Sequence, residues 1–263
     1  MKLIIIVCQM IYLSSYAYGF DHDHSAFTQI LKKNVTLKNG GKYSQLDYKN
    51  VNKTELKNYT KSLLAEKKAT VDSWTKEQQL AFYFNLYNAL TIELVLTAYP
   101  VESIRKIGSG FFIKKPWKEK FFTLFGEESY LDRIEHELVR KSSKLFDPLL
   151  HVAFNCASIG CPGLPNEAFQ ASRLEQQLTQ SIRRFLSDEQ RNRIEGNIVY
   201  SSKIFDWYKG DFEKGTRGFK SLKDLFAKYA DAMAKTPKDL EVLKSKKFSI
   251  KYLDYDWNLN DKK

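Results

Sequence analysis

The 263-residue chain has only three cysteines and four histidines. It contains no internal repeat, low-complexity tract or Pro/Gly/Ser linker, which argues against a repeat array or a chain of small modules. Beyond residue 13 no run is apolar enough to cross a bilayer, which takes about 20 residues, so no membrane span is expected in the mature chain. The net charge is +11, but the lysine pairs Lys32-Lys33, Lys67-Lys68, Lys114-Lys115 and Lys246-Lys247 are scattered. With no basic stripe and no nucleic-acid motif, the charge reads as solvated surface, and a nucleic-acid partner is not expected. Paired metal-binding knuckles are missing, so a zinc site built from the few Cys and His ranks last, and no metal or cofactor is expected.

What is present begins with a leader. Lys2, an apolar stretch from Leu3 to Leu13, and small residues at Ala17 and Gly19 form the pattern of a cleavable signal peptide over residues 1–19. The mature protein is therefore expected outside the cytoplasm, periplasmic or secreted. Hydrophobic residues make up 43% of the chain and aromatics 14%, enough for a substantial core and too much for disorder. Residues 20–75 are expected to form a helical segment packing on the core, with the best helix from Thr54 to Ala69. His22 and His24 are placed at a frayed start. Residues 76–263 are expected to form the core domain. Its strongest element is a helix from Lys76 to Ala98, apolar on all sides as a buried helix must be and stopped by Pro100.

A hairpin is expected around Gly126. Asp132 and Glu135 then match a capping box for a helix to about Ser142. Between Asp147-Pro148 and Cys156, strand and helix compete. An amphipathic helix is expected over Ala171–Leu186, and strands at Asn197–Tyr200 and Phe248–Tyr255. The mixture, without regular βαβ alternation, reads as a single helix-rich α+β domain with short, mostly antiparallel strands.

Chemistry-bearing residues concentrate between His151 and Pro162. Cys156 or Cys161 offers a nucleophile, provided that an imidazole or helix terminus favours the thiolate. His136 and His151 are the candidate bases. Five positions apart, His151 and Cys156 project about 140° apart on a regular helix, so a direct pair needs a turn near Asn155. Cys156 is preferred because Pro162, after Cys161, offers no N–H for an oxyanion. On residue type and compartment alone, a Cys156–Cys161 disulfide ranks ahead of catalysis.

Several motifs resemble one family. They are FYFNLYNA over residues 82–89, Ile134-Glu135-His136 with Arg140, His151 to Cys156 with Cys161-Pro162, Lys203 to Tyr208 with Asp211-Phe212, and the ending from Tyr252 to Asn260. Together they are similar to the domain-of-unknown-function 547 family in its exported bacterial form, over about residues 75–260. The resemblance implies an autonomous domain whose polar signature is Asn85, Asn88, His136, Arg140, His151, Asn155, Cys156 and Cys161, and it implies no reaction. The expected catalytic set is Cys156, His136, His151 and Asn155, with Asn85, Asn88 and Arg140 as substrate-binding residues. The expected function is a cysteine-dependent hydrolase or transferase acting on an amide or thioester of unknown substrate. The alternative is a non-catalytic, disulfide-stabilised domain binding an envelope partner.

Overall fold

The computed structural model describes residues 19–108 and 115–262. Apart from Gly19, the expected signal peptide lies outside the described residues. Helix α1 (Ser25–Asn34) buries Phe27, Ile30, Leu31 and Asn34, the spacing of one helical face. The antiparallel hairpin of β1 (Val35–Lys38) and β2 (Tyr43–Leu46) follows. Helix α2 (Lys53–Leu64) is capped by the Asn52 side chain, which accepts from the Thr54 and Glu55 N–H groups. The single helix expected from Thr54 to Ala69 is in fact broken. The chain leaves helical geometry at Lys67 and restarts as α3 (Lys68–Ser73), turning Val71 fully into the core. The sequence there holds only good helix formers, so packing overrides propensity.

Helix α4 (Lys76–Leu96) opens on a reciprocal capping box between Thr75 and Gln78 and is buried on every side. Helix α2 and the segment Arg133–Arg140 pack against it. Strands β3 (Phe122–Leu124) and β4 (Glu127–Ser129) pair antiparallel across Phe125-Gly126. Both turn residues have positive φ, as a tight two-residue hairpin turn demands. The capping box expected at Asp132 and Glu135 does not form: Asp132 is already helical and makes no side-chain cap. Arg133–Arg140 is a π-helix, a wider turn often found at functional sites. It buries Ile134, Glu135 and Val139.

A short 3-10 helix, Pro148–Val152, resolves the competition ahead of Cys156, with Asp147 accepting from the Leu149 N–H. Helix α5 (Leu174–Leu186) has the expected amphipathic spacing. Strands β5 (Arg193–Glu195) and β6 (Ile198–Ser201) pair antiparallel. The chain continues through α6 (Lys203–Trp207), α7 (Lys209–Phe212), α8 (Leu222–Lys228), α9 (Ala230–Met233) and α10 (Pro237–Ser245), then returns as β7 (Ser249–Tyr252). Strand β7 lies parallel to β6, because so long a helical crossover can bring the chain back in the same direction.

The fold is helix-rich α+β with short, mostly antiparallel strands. One apolar core runs from Phe27 to Leu259, so residues 20–75 share it with the rest. Their start is not frayed: His24 is buried and its Nδ1 lies 2.8 Å from the Tyr59 hydroxyl. Among the described residues no helix is long and apolar enough to cross a membrane.

Candidate active site

After the 3-10 helix the chain turns sharply through Asn155, Cys156 and Ala157. Ala157 adopts a positive φ of 59°, costly for a residue with a Cβ. The Asn155 side chain holds this bend, its Oδ1 accepting from the Ala157 N–H and its Nδ2 donating to the Pro162 carbonyl. From the far end of the chain, residues 256–260 run alongside. The Ile159 and Gly160 N–H groups donate to the carbonyls of Asn258 and Asp256, and the Asn260 N–H donates to the Ala157 carbonyl. This tail delivers Tyr255 onto the loop. A Cβ at Gly160 would lie 2.9 Å from the Tyr255 ring, so only glycine permits that approach.

Three groups surround the Cys156 sulfur: Cys161 Sγ at 3.0 Å, Ser158 Oγ at 3.1 Å and the Tyr255 hydroxyl at 3.1 Å. The hydrogen bond from Cys161, helped by those of Ser158 and Tyr255 and opposed by burial, pulls the Cys156 thiol down to about 7. Burial pushes the Cys161 thiol well above its ordinary range, and burial likewise keeps the Tyr255 phenol protonated. Cys156 is therefore the sulfur that ionises, and its neighbours retain the protons that stabilise the thiolate. The two sulfurs are not bonded in this structure: both cysteines are free, and 3.0 Å exceeds a sulfur–sulfur bond of about 2.05 Å.

Cys156 lines a cavity of about 260 Å3 together with His136, His151, Asp132, Glu135 and a wall of aromatic rings. His151 comes from the 3-10 helix and is 4% exposed. Its ring stacks on Tyr208 at 3.8 Å, and its Nε2 lies 2.8 Å from Asp211 Oδ2. Burial opposes ionisation of Asp211, but hydrogen bonds from His151, Arg140 and Lys214 outweigh it and hold the carboxyl below its usual range. An ionised carboxylate only accepts, so His151 Nε2 carries the proton and Nδ1 the lone pair. That Nδ1 is buried with no hydrogen-bond partner. Burial, more than the opposing pull of Asp211, lowers His151 to about 4, so the ring is neutral at pH 7. His136 lies 3.8 Å from Asp132 and 3.9 Å from Glu135. Burial pushes Glu135 up to about 7, with His136 pulling the other way.

The amides of Asn85 and Asn88, expected to bind substrate, are occupied by backbone groups. Asn85 bonds the backbone of Phe169 through both ends of its amide, and Asn88 bonds the Ala153 carbonyl and the Asn155 N–H. At 0% and 2% exposure both are clamps with no polar atom left for a ligand. Arg140 donates from Nε to Asp211 and lies over the Tyr208 ring. Asn155 does not orient a histidine. Its amide braces the loop, and Asn155 borders a second, more polar cavity of about 390 Å3.

Asp211, Tyr255 and Ser158 were missed as site residues. Asp211 could have been found: it is an acidic residue within the Lys203–Phe212 motif of the resemblance. Among the described residues no group of three or more His, Cys, Asp or Glu side chains is arranged to hold a metal ion.

The family model described as "Protein of unknown function, DUF547" matches residues 71–186. That stretch runs from α3 to the end of α5 and holds Asn85, Asn88, His136, Arg140, His151, Asn155, Cys156 and Cys161. It is narrower than the resemblance over residues 75–260, and Asp211, Tyr208 and Tyr255 lie beyond it. No curated protein and no solved structure matches the chain. Over residues 71–186, which carry the cysteine loop and both cavity histidines, the chain is similar to the DUF547 family of proteins of unknown function.

Proposed function

We propose that this protein is an extracytoplasmic cysteine-dependent enzyme that transfers or hydrolyses the acyl group of an amide or thioester. One observation carries the reading: a thiol drawn down to about 7 shares a cavity with a neutral histidine whose other nitrogen is anchored by an ionised carboxylate. This is the division of labour of nucleophile, base and orienting acid. Cys156 attacks the substrate carbonyl as its proton passes to His151 Nδ1. The tetrahedral intermediate collapses, the C–N or C–S bond breaks, and the leaving group takes that proton. Water or another nucleophile then cleaves the thioester and frees the thiol. Tyr255 and Ser158, within hydrogen-bond reach of Sγ, supply donors beside the developing negative charge.

The test is labelling and acylation. Cys156 is expected to react with iodoacetamide with a midpoint near pH 7, and Cys161 to stay unlabelled in the folded protein. Tyr255→Phe and Cys161→Ala should each move the midpoint upward. With p-nitrophenyl acetate, one acyl group per chain should load onto Cys156. His151→Gln should slow loading by about 100-fold or more, the usual worth of a general base, whereas His136→Ala should slow it little. If neither sulfur labels until a reductant is added, the disulfide-stabilised binding domain replaces the enzyme. Labelling only above about pH 8, as for an ordinary thiol, also ends the catalytic reading.

Location outside the cytoplasm rests on the charge, apolar length and small residues of positions 1–19. Intact mass of the protein from its producing cell is expected to show loss of the segment ending near Gly19. A full-length chain recovered from soluble cytoplasm contradicts export.

A further inference from the structure

We infer that the cavity beside Cys156 receives an alkylammonium group, so that the substrate of the proposed reaction carries a primary amine of the lysine side-chain type. The inference rests on the acyl-transfer reading for the role of that substrate, but not for its binding. The cavity walls include the rings of Trp117, Trp207, Trp257 and Tyr255. These rings pack on one another, Trp207 on Trp257 at 5.7 Å, Tyr255 on Trp257 at 4.5 Å and Trp117 on Trp257 at 5.7 Å. Trp207 remains 45% exposed. Two carboxyl groups, Asp132 and Glu135, line the same space. The chain has 42 lysines and arginines, yet none is among the described residues lining this cavity.

Two further atoms offer unused hydrogen-bonding capacity to a ligand. The Nδ1 atoms of His136 and His151 are buried and have no hydrogen-bond partner; His151 is also 4% exposed and lines the cavity. A neutral apolar ligand would leave both imidazole nitrogens unanswered, which burial makes costly. An anion would face two carboxyl groups. Although the Arg105 guanidinium already lies over the Trp257 ring, an alkylammonium suits these walls. Its methylenes lie against the rings, its charge meets the ring faces, and its N–H groups reach acceptors that have lost water.

The test separates this inference from the reactivity of Cys156 by using the Cys156→Ala protein, which cannot be acylated. Tryptophan fluorescence and calorimetry follow titration with n-pentylamine and with 1-pentanol, matched in shape and differing in charge at pH 7.5. The amine is expected to saturate and to bind at least 10-fold tighter than the alcohol. Glu135→Gln should remove most of that preference while leaving the alcohol's affinity unchanged. Nα-acetyl-lysine methylamide should compete with pentylamine, as a lysyl side chain would. Equal affinity for amine and alcohol, or no saturation by the amine at millimolar concentration, overturns the inference even if Cys156 proves reactive in the unaltered protein. The comparison of the two ligands needs no change to either carboxyl group, so a poorly folded Glu135→Gln does not decide it.

Discussion

Acidification from pH 7 to pH 4 is expected to withdraw about 6 kcal/mol of stability through two buried imidazoles, at about 1.36 kcal/mol for each pKa unit. Burial lowers both His24 and His151 from 6.5 to about 4. Between pH 6.5 and 4 the unfolded chain takes up protons at both positions and the folded chain does not. Stability therefore falls as pH falls through that window. Glu135 works in the opposite sense. Its folded value is raised from 4.5 to about 7, so the folded state holds the proton that the unfolded state releases, and acidification returns about 3 kcal/mol. The expected net loss is about 3 kcal/mol in the wild type and about 6 in Glu135→Gln.

Urea unfolding at pH 7 and pH 4 reads both numbers. His24→Asn, which tolerates the positive φ of 49° at that position, should halve the imidazole contribution. A Glu135→Gln protein as stable at pH 4 as at pH 7 would show that neither histidine is buried neutral.

Asn88→Leu is expected to cost about 4 kcal/mol, within a range of about 2–6 set by stranding two buried backbone groups at about 1–3 each. Leucine fills much the same space. It cannot accept from the Asn155 N–H at 2.8 Å or donate to the Ala153 carbonyl at 2.9 Å. Both backbone groups belong to buried residues, Ala153 at 2% and Asn155 at 6% exposure. The substitution should also be felt at the site, because residue 155 is the hinge that carries Cys156 out of the 3-10 helix. In protein that remains folded, the iodoacetamide midpoint of Cys156 should rise as Cys161, Ser158 and Tyr255 lose register with its sulfur. An unchanged denaturation midpoint would mean that Asn88 is not the clamp between α4 and the cysteine loop.

Both results follow from one feature of α4. A helix apolar on every side has no solvent-facing edge, so its polar residues must find partners inside the protein. That Asn85 and Asn88 are special is legible in the sequence as amides amid aromatics. That they bond backbone and not substrate is not legible, because their partners, Phe169, Ala153 and Asn155, lie 65 to 84 positions away.

The cysteine loop divides in the same way. Its glycines and prolines announce a turn, and the gathering of His136, His151, Cys156 and Cys161 marks a site. Yet periodicity cannot say which histidine is anchored, since the anchor, Asp211, is 60 positions from His151. The π-helix over Arg133–Arg140, which buries Glu135 with Ile134 and Val139, eluded a reading based on 3.6-residue spacing.

By itself the sequence determined the helix-rich α+β class, the buried helix α4, the β3–β4 turn and the cluster of cysteine and histidine. These depend on contacts within a few residues, where side-chain pattern and backbone preference act directly. Tertiary structure alone decided that β7 lies parallel to β6, that Arg140 serves Asp211, and that Tyr255 arrives from 99 positions away to bond Cys156. It also decided the charge states at the site. A thiol near 7 and an imidazole near 4 are set by burial and by donors that only the folded chain brings within hydrogen-bond reach.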